Sequence, residues 1–509
     1  MKANNYFILF LLFVSIGFKL SFLGKGLYSN QDENRYISAQ NAVEEIKHGN
    51  IAKGIDWLFS AQGRPGYVMV SMVPATIQIV VANYLLIGYN NYSVLWIPYI
   101  FNLLVFFIIL FLIYKTSRRL DLQKSTSILI TLLYSLTVNS YIYLRHAFPY
   151  DISLMILILS YCYFISANLN QSFSIKKVFL IGLLISLAFT VYPGYFQLVL
   201  ALFTIITLRL YTEFGITING LRRLVSFIIG LTAPILFFQG LSLMVGKSYF
   251  EESKTLSGTI IQGSFEENHS FLFKYFFDAE APLGYILFLL VLLCSALIIS
   301  GKSFCKNNII KLTYLVLFIV FSIFIVQGLV FKKMVFYGRL LHQYYPFIII
   351  MCGIGIQYLV DQFKFKHIQL IASTSFFVMT IPNQLEYFKV EYAENLEKLI
   401  QEKNIKYRYV ESSCEWDSCE FPKSVISSLS AKSDSTSNIS LHLVNWCYTR
   451  TDIMLNPKNK IKPDLSGRIL IDTPHWINFP AYQYEGAGIP QREFFKKNPR
   501  RILVLEKDI

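Results

Sequence analysis

Long apolar stretches separated by short polar ones fill the first three quarters of the chain. They fall near residues 6–23, 93–114, 125–144, 152–169, 178–192, 195–212, 224–245, 281–300, 312–330, 343–360 and 367–383. Most are about 18 residues or more, long enough as helices to span a hydrocarbon core roughly 30 Å thick. A further stretch, "GYVMVSMVPATIQIVVANYLLIGY" at 66–89, is similar in length but carries Pro74, Gln78 and Asn83. After about residue 384 the pattern changes. Charged residues, Ser and Asn become frequent, and short runs such as "ISLHLVNW" and "RRILVLE" have the length and β-branched content of strands. The predicted architecture is mainly α: a polytopic membrane unit over 1–383 with about eleven transmembrane helices, then a small mixed α/β domain over 384–509. Within the domain, the Ser/Asn-rich stretch 428–440 reads as a mobile loop.

Charge decides how the spans are oriented. Basic residues cluster between spans at Lys115, Arg118, Arg119 and Lys124; at Lys176 and Lys177; at Arg222 and Arg223; at Lys302, Lys306 and Lys311; and at Lys364 and Lys366. The excess of Lys and Arg in cytoplasmic loops puts all of these inside, with the N-terminus, provided that 66–89 does not cross. That stretch is therefore expected to lie in the interface, within a long first outer loop (24–92). The first span lacks a small-x-small cleavage site and reads as a retained helix rather than a signal peptide.

The formal net charge of +14 comes largely from these loop clusters, which leaves nucleic acid without a basic binding face. Only 15% of residues are charged and 54% are hydrophobic, which excludes an ordinary soluble domain. Cys162, Cys294 and Cys352 lie in apolar runs as packing residues, with Cys305 in a basic loop. Cys414 and Cys419, in "CEWDSC", could close a short disulfide loop in an oxidising compartment. No set of ligands at zinc spacing is present.

The candidate chemistry gathers on the outer side. Asp32 and Glu33 follow the first span, and Asp151 opens the fourth after "LRHAFPY". Carboxylates at the outer mouths of separate helices can converge on one pocket, where one takes the proton of an attacking hydroxyl and another orients it or holds a substrate hydroxyl. Arg35, Arg64, Arg145, Lys332, Lys333 and Arg339 are cations placed where the orientation rule disfavours them. Beside apolar helices, such groups can hold a lipid-linked phosphate, with Arg offering forked hydrogen bonds; Arg64 and Arg339 are the strongest candidates.

Taken together, an acidic pair after the first span, an interfacial helix behind "GRPGY", an acidic residue opening the fourth span, and "GRLLHQYYP" before a late span resemble the GT-C superfamily of membrane glycosyltransferases. The resemblance covers roughly residues 1–383. It implies a first-loop acid as catalytic base and a donor sugar on a polyprenyl phosphate, with Arg339, His342 and Tyr345 of the late motif in substrate binding. Two departures stand out. Arg64-Pro65-Gly66 replaces the Lys-Pro-Pro common in aminoarabinose and protein O-mannosyl transferases, and no Lys accompanies Tyr192-Pro193. Within the superfamily the plan is most similar to serotype-converting O-antigen glucosyltransferases of bacteria and phages. That similarity points to Glu33, then Asp32, as the base, and to Lys496 and Lys497 in "REFFKKNPRR" as a functional pair in the C-terminal segment.

The resemblance implies inverting transfer of a hexose, glucose above all, from undecaprenyl phosphate to a glycan such as lipopolysaccharide O-antigen. The place would be the periplasmic face of a bacterial inner membrane, with the C-terminal domain periplasmic. Lipids, a donor synthase and a flippase would be partners, and neither a cofactor nor a divalent metal would be needed. Two rivals remain open on sequence: transfer to lipid A or protein, and transport of a lipid-linked glycan. Ionisable residues are nearly absent from the spans, which weighs against transport.

Overall fold

The computed structural model describes residues 2–21, 23, 34–60, 63–88, 94, 96–142, 144, 147, 149–168, 173–262, 276–277, 280–301, 308–330, 338–363, 367–388, 393–412, 426, 429–446, 466–474 and 501–508. Helices occupy every stretch with a spanning pattern. In chain order, the first part contains α1 (Lys2–Leu20), α2 (Asn34–Lys47), α3 (Ile51–Leu58), α4 (Pro65–Tyr84), α5 (Ile97–Arg119), α6 (Lys124–Leu136), the short α7 (Asn139–Ile142) and α8 (Tyr150–Asn168). Then come α9 (Ile175–Val191), α10 (Phe196–Phe214), α11 (Ile218–Met244), α12 (Tyr249–Gln262), α13 (Leu283–Ile299) and α14 (Asn308–Leu329). The helical part closes with α15 (Gly338–Leu341), α16 (Tyr345–Phe363) and α17 (Ile368–Phe388). Among the described residues six helices are long and apolar enough to cross a membrane: Pro65–Tyr84, Ile97–Arg119, Pro193–Phe214, Ile218–Met244, Ile310–Gln327 and His342–Phe363.

Side-chain pairs give the relative directions. Ser15 and Ser135 share a hydrogen bond of 3.0 Å, and Lys19 Nζ donates to Ser140 Oγ at 2.8 Å, so α1 and α6 run parallel. Leu20, Leu136 and Val191 thus mark one end of the bundle, the upper end below. Lys124, Lys176, Arg222 and Lys311 begin helices at the lower end. One difference from the sequence reading lies in the stretch 125–144. Its helix stops at Leu136, where Thr137 turns extended (φ −66°, ψ 139°) and its hydroxyl caps the carbonyl of Tyr134. The chain resumes as α7 after this break.

Between lipid-immersed helices, hydrocarbon burial supplies little drive, so close backbone contact and hydrogen bonds carry the packing. The crossing of α9 and α11 is the tightest instance. A Cβ on Gly182 would meet the Phe227 carbonyl oxygen at 2.5 Å, and one on Gly230 would meet the Phe179 oxygen at 2.3 Å. The opposite side of α11 exposes Leu221, Val225, Ile228, Leu236 and Leu243, a face suited to lipid. Cys162, Cys294 and Cys352 are buried free thiols, as their apolar settings predict.

The upper end is capped by α2, α3 and α4, joined by the start of α12 in a second core of Tyr36, Leu58, Phe59, Val68, Ala75, Tyr99, Phe238 and Tyr249. Lys247 closes an ion pair with Asp56 at 2.7 Å. Although α4 has the length of a span, both of its ends lie at this end of the bundle. Gly66 abuts Thr190 and Val191 at the end of α9, and Tyr67 donates its hydroxyl to the Ala147 carbonyl. Its last turn packs through Ala82 on Val94 and Ile97, where α5 begins. Gln78, midway, accepts a 2.8 Å hydrogen bond from Tyr36. The outward stripe of Val73, Ile77 and Val80 is apolar, as an interfacial helix requires.

Beyond the bundle, α18 (Ala393–Glu402) precedes a four-stranded sheet of β1 (Tyr409–Ser412), β2 (Ile439–Trp446), β3 (Arg468–Pro474) and β4 (Arg501–Asp508), ordered β1-β2-β4-β3. The β1–β2 pair is parallel and the others antiparallel. Leu441, Leu443 and Val504 face Leu396 and Ile400 of α18, while Val444, Leu503 and Leu505 cluster separately. Both strand-like runs noted in the sequence are strands. Of the stretch 428–440, residues 429–438 form a hydrogen-bonded turn that leads into β2. The Asp434 N–H donates to the Tyr407 carbonyl at 2.7 Å, and the Asp434 carboxylate accepts from the Thr436 N–H at 2.9 Å.

Two expectations follow from this packing. Gly230→Leu should destabilise the detergent-solubilised protein by about 1–3 kcal/mol through overpacking, read as a lower thermal midpoint; an unchanged midpoint would contradict so close a crossing. Single cysteines replacing Lys53 and Gly88 should react with a membrane-impermeant thiol reagent from the same side, and one replacing Lys176 only from the other. Co-labelling of positions 88 and 176 would mean that α4 crosses.

Candidate active site at the upper end of the bundle

The upper ends of α1, α6, α8 and α16 bring polar side chains together in a setting otherwise lined by apolar residues. Asp151 lies in the first turn of α8 and is 2% exposed. His342 begins the 3-10 turn His342–Tyr344 that joins α15 to α16, and is fully buried. The two are bonded, His342 Nε2 to Asp151 Oδ1 at 2.6 Å. The other ring nitrogen, Nδ1, lies 2.6 Å from Asn139 Oδ1. The ring is thus held at both nitrogens, between a carboxylate on one side and the Asn139 side chain on the other.

The break after α6 makes this arrangement possible. Interrupting a helix frees backbone N–H groups that must find partners. Here Val138 and Asn139 donate to the two oxygens of Glu280 at 2.8 Å each. Glu280 precedes α13 and is 1% exposed; burial raises its pKa to about 7, although the two backbone N–H groups, the Tyr345 hydroxyl and Lys19 all favour its charged form. Lys19, in the last turn of α1, donates to Ser140 and lies 4.2 Å from the Phe106 ring centroid, within electrostatic reach of Asp151 and Glu280. The His342 turn is held independently. Gln343 Nε2 and the Tyr344 hydroxyl both donate to Gln197 Oε1, at 2.9 and 2.6 Å, and Gln197 Nε2 donates to Gln327.

One atom of this cluster is left over. Asp151 Oδ2 is buried and makes no hydrogen bond. The Tyr134 and Tyr195 hydroxyls are also buried and unbonded, and both lie within electrostatic range of Asp151. An unpaired buried polar group costs about 1–3 kcal/mol, and more for a charged one. One carboxylate oxygen with two such hydroxyls in its electrostatic range, unbonded among the described residues, is a concentration of unmet polar groups that singles this place out as a candidate site.

The structure brings Arg64 to the same neighbourhood. It is 7% exposed, with its guanidinium carbon 4.8 Å from the Tyr192 ring centroid. Tyr192 meets Tyr150 edge-on at 4.6 Å and Tyr195 at 4.7 Å, an aromatic wall beside Asp151. Arg35 lies in the first turns of α2 and is partly buried. Tyr345 is fully buried, stacked on Phe276 at 5.4 Å, and lies beside Glu280. Arg339 lies in α15. Asp32, Glu33, Arg145, Lys332, Lys333, Lys496 and Lys497 lie outside the described residues, as do Cys414 and Cys419.

Lys19, Glu280 and Asn139 were missed in the sequence. Lys19 has a visible signal, a cation within an apolar span. Glu280, in "FFDAEAPLGY", looks like any loop carboxylate until the fold places it against the end of α6.

No protein-family model matches the chain, and no curated protein matches its sequence. Solved structures do match it. ArnT from Cupriavidus metallidurans bound to undecaprenyl phosphate aligns with a TM-score of 0.51 and 8% identity, over 98% of this chain and 97% of that one. The apo form of ArnT gives 0.48 at 9% identity, over 99% and 98%. The Archaeoglobus fulgidus oligosaccharyltransferase in complex with Zn and sulfate gives 0.45 at 11% identity; the match covers 82% of this chain but only 61% of that one, so this chain spans about three fifths of its length. The fold is therefore similar to that of ArnT, a polytopic helical architecture matched along nearly the whole of both chains.

Lys19→Met should remove the cation that answers two buried carboxylates. A loss of about 3 kcal/mol or more is expected, seen as a lower unfolding midpoint in detergent. A midpoint equal to wild type would mean that the carboxylates do not depend on Lys19.

Proposed function

We propose that the chain is a glycosyltransferase that moves a sugar from a polyprenyl-phosphate donor to a hydroxyl-bearing acceptor at the upper end of the bundle. The observation that carries this reading is the unbonded oxygen of Asp151, held by His342 in a buried polar cluster within a fold similar to that of ArnT. The comparison supports the donor class, since the ArnT structure that matches end to end is bound to undecaprenyl phosphate. In this reading the interfacial α4 borders the site, and a lipid phosphate reaches it from the bilayer. Arg64, with Arg339, Arg145, Arg35 and the Lys332–Lys333 pair, offsets the phosphate charge as it leaves. Glu33 or Asp32 of the first loop takes the proton of the acceptor hydroxyl, and Asp151 holds and orients a substrate hydroxyl. A single displacement of this kind inverts the anomeric centre.

The finer assignment is a hexose, glucose above all, transferred to lipopolysaccharide O-antigen at the periplasmic face of a bacterial inner membrane, with Lys496 and Lys497 contributing from the C-terminal domain. No metal is required for this chemistry, because the leaving group is already a phosphate. Transfer is testable with undecaprenyl-phosphate glucose as donor and O-antigen-bearing lipopolysaccharide as acceptor. Asp151→Asn, which keeps shape and removes charge, should lower kcat by about 100-fold or more, and Glu33→Gln or Asp32→Asn should abolish turnover. Wild-type rates in all three variants would refute the assignment.

A further inference from the structure

Four groups from four parts of the chain form one continuous line. Glu280 clamps the Val138 and Asn139 N–H groups at 2.8 Å. The side chain of that same Asn139 meets His342 at 2.6 Å, and His342 meets Asp151 at 2.6 Å. Every member is at least 98% buried by residue, so none can exchange a partner for water without moving. We propose that Glu280 is a positioning residue that sets Asp151 through Asn139 and His342, and that its ionisation tightens or releases this line. The inference rests on the reading of Asp151 as part of the transfer site; the link from Glu280 to His342 does not.

The charge state matters because of what each form can accept. An ionised Glu280 offers an acceptor oxygen to each of the two N–H groups. A protonated one keeps its carbonyl oxygen as an acceptor but makes the other a hydroxyl, a weaker acceptor with a proton to place, which loosens one of the two bonds; at Oε1 this frees the start of α7. Asn139 then loses its backbone anchor while its side chain still holds His342. Among the described residues, the charged or titratable groups facing Glu280 are Lys19 from α1 and Tyr345 from α16; Asp151 of α8 lies within reach of the same Lys19. With burial holding Glu280 near 7, the line is tight above that pH and loosened below it.

His342 reports on the link without any turnover. In full-length detergent-solubilised protein with 15N-labelled histidines, assigned by His342→Gln among the seven in the chain, the His342 resonances should step near pH 7. In Glu280→Gln, which cannot ionise, the step should vanish. Should that variant fail to fold, Glu280→Asp, too short to reach both N–H groups, should displace the step. A step that persists unchanged in the Glu280 variant, or that is absent from the wild type, overturns the proposal. Turnover with undecaprenyl-phosphate glucose adds the functional arm. In Glu280→Gln, kcat at pH 8 should fall about 10- to 100-fold with KM little changed, and the rise in kcat across pH 7 should disappear. If Asp151→Asn is inactive while Glu280→Gln keeps the wild-type kcat and pH profile, the positioning role is wrong and the transfer reading stands. If wild type and Asp151→Asn are alike, the transfer reading is wrong, and the histidine titration alone decides the link.

Discussion

The hydrogen-bonded line from Glu280 through Asn139 and His342 to Asp151 is the constraint on which the upper end of the bundle depends. Inside an apolar bundle the effective dielectric is low, so each bond is strong and each missing one is costly. The line ties the segment before α13 to the break after α6, then to the turn before α16, then to the first turn of α8. Shifting any one of these elements by an ångström would strand a buried polar group. Lys19 of α1 donates to Ser140 at the same break and lies within electrostatic reach of both buried carboxylates. The glutamine network of Gln197, Gln343 and Gln327 holds the same turn from the side of α10 and α14.

Against this fixed arrangement, one oxygen of Asp151 stands out because it is the member with nothing to hold. A fold common to several chemistries does not assign one of them, and the likeness to ArnT alone would leave the function open. The site adds the chemistry: a carboxylate, two tyrosine hydroxyls beside it, a buried arginine across an aromatic wall, and an interfacial helix at the edge. Together these are the features on which the proposed transfer rests.

The legibility of the fold in the sequence was uneven, for identifiable reasons. The helices α5, α9, α10, α11 and α14 are uniformly apolar and bounded by Lys or Arg, so hydropathy finds them within a few residues. The strands at Ile439–Trp446 and within Arg501–Asp508 announced themselves by β-branched content and length. The interruption at Thr137 did not, because "SLTVNSYIYL" contains neither Gly nor Pro, and the helix breaks there only because distant groups satisfy the freed amides. The bonds of the turn at 429–438 were not legible in the stretch read as a mobile loop, because Asp434 and Ser437 reach residues 407 and 406, well before it in the chain.

Local composition is enough to place this chain in lipid, to number its apolar segments and to put its basic loops at one end, since span length and charge bias act on each segment separately. Asp151 and Arg64 could be singled out for the same reason, as charged residues at helix mouths, whereas His342 entered only through the resemblance carried by "GRLLHQYYP". Which of them meet is another matter. The pairing of residues 151 and 342, the clamp from 280 onto 138 and 139, and the cation of residue 19 between two acids join positions more than a hundred residues apart. Only the packed bundle sets those distances. Buried polar groups take whatever partner the crossing helices bring within reach, and no neighbouring residue in the chain carries that information.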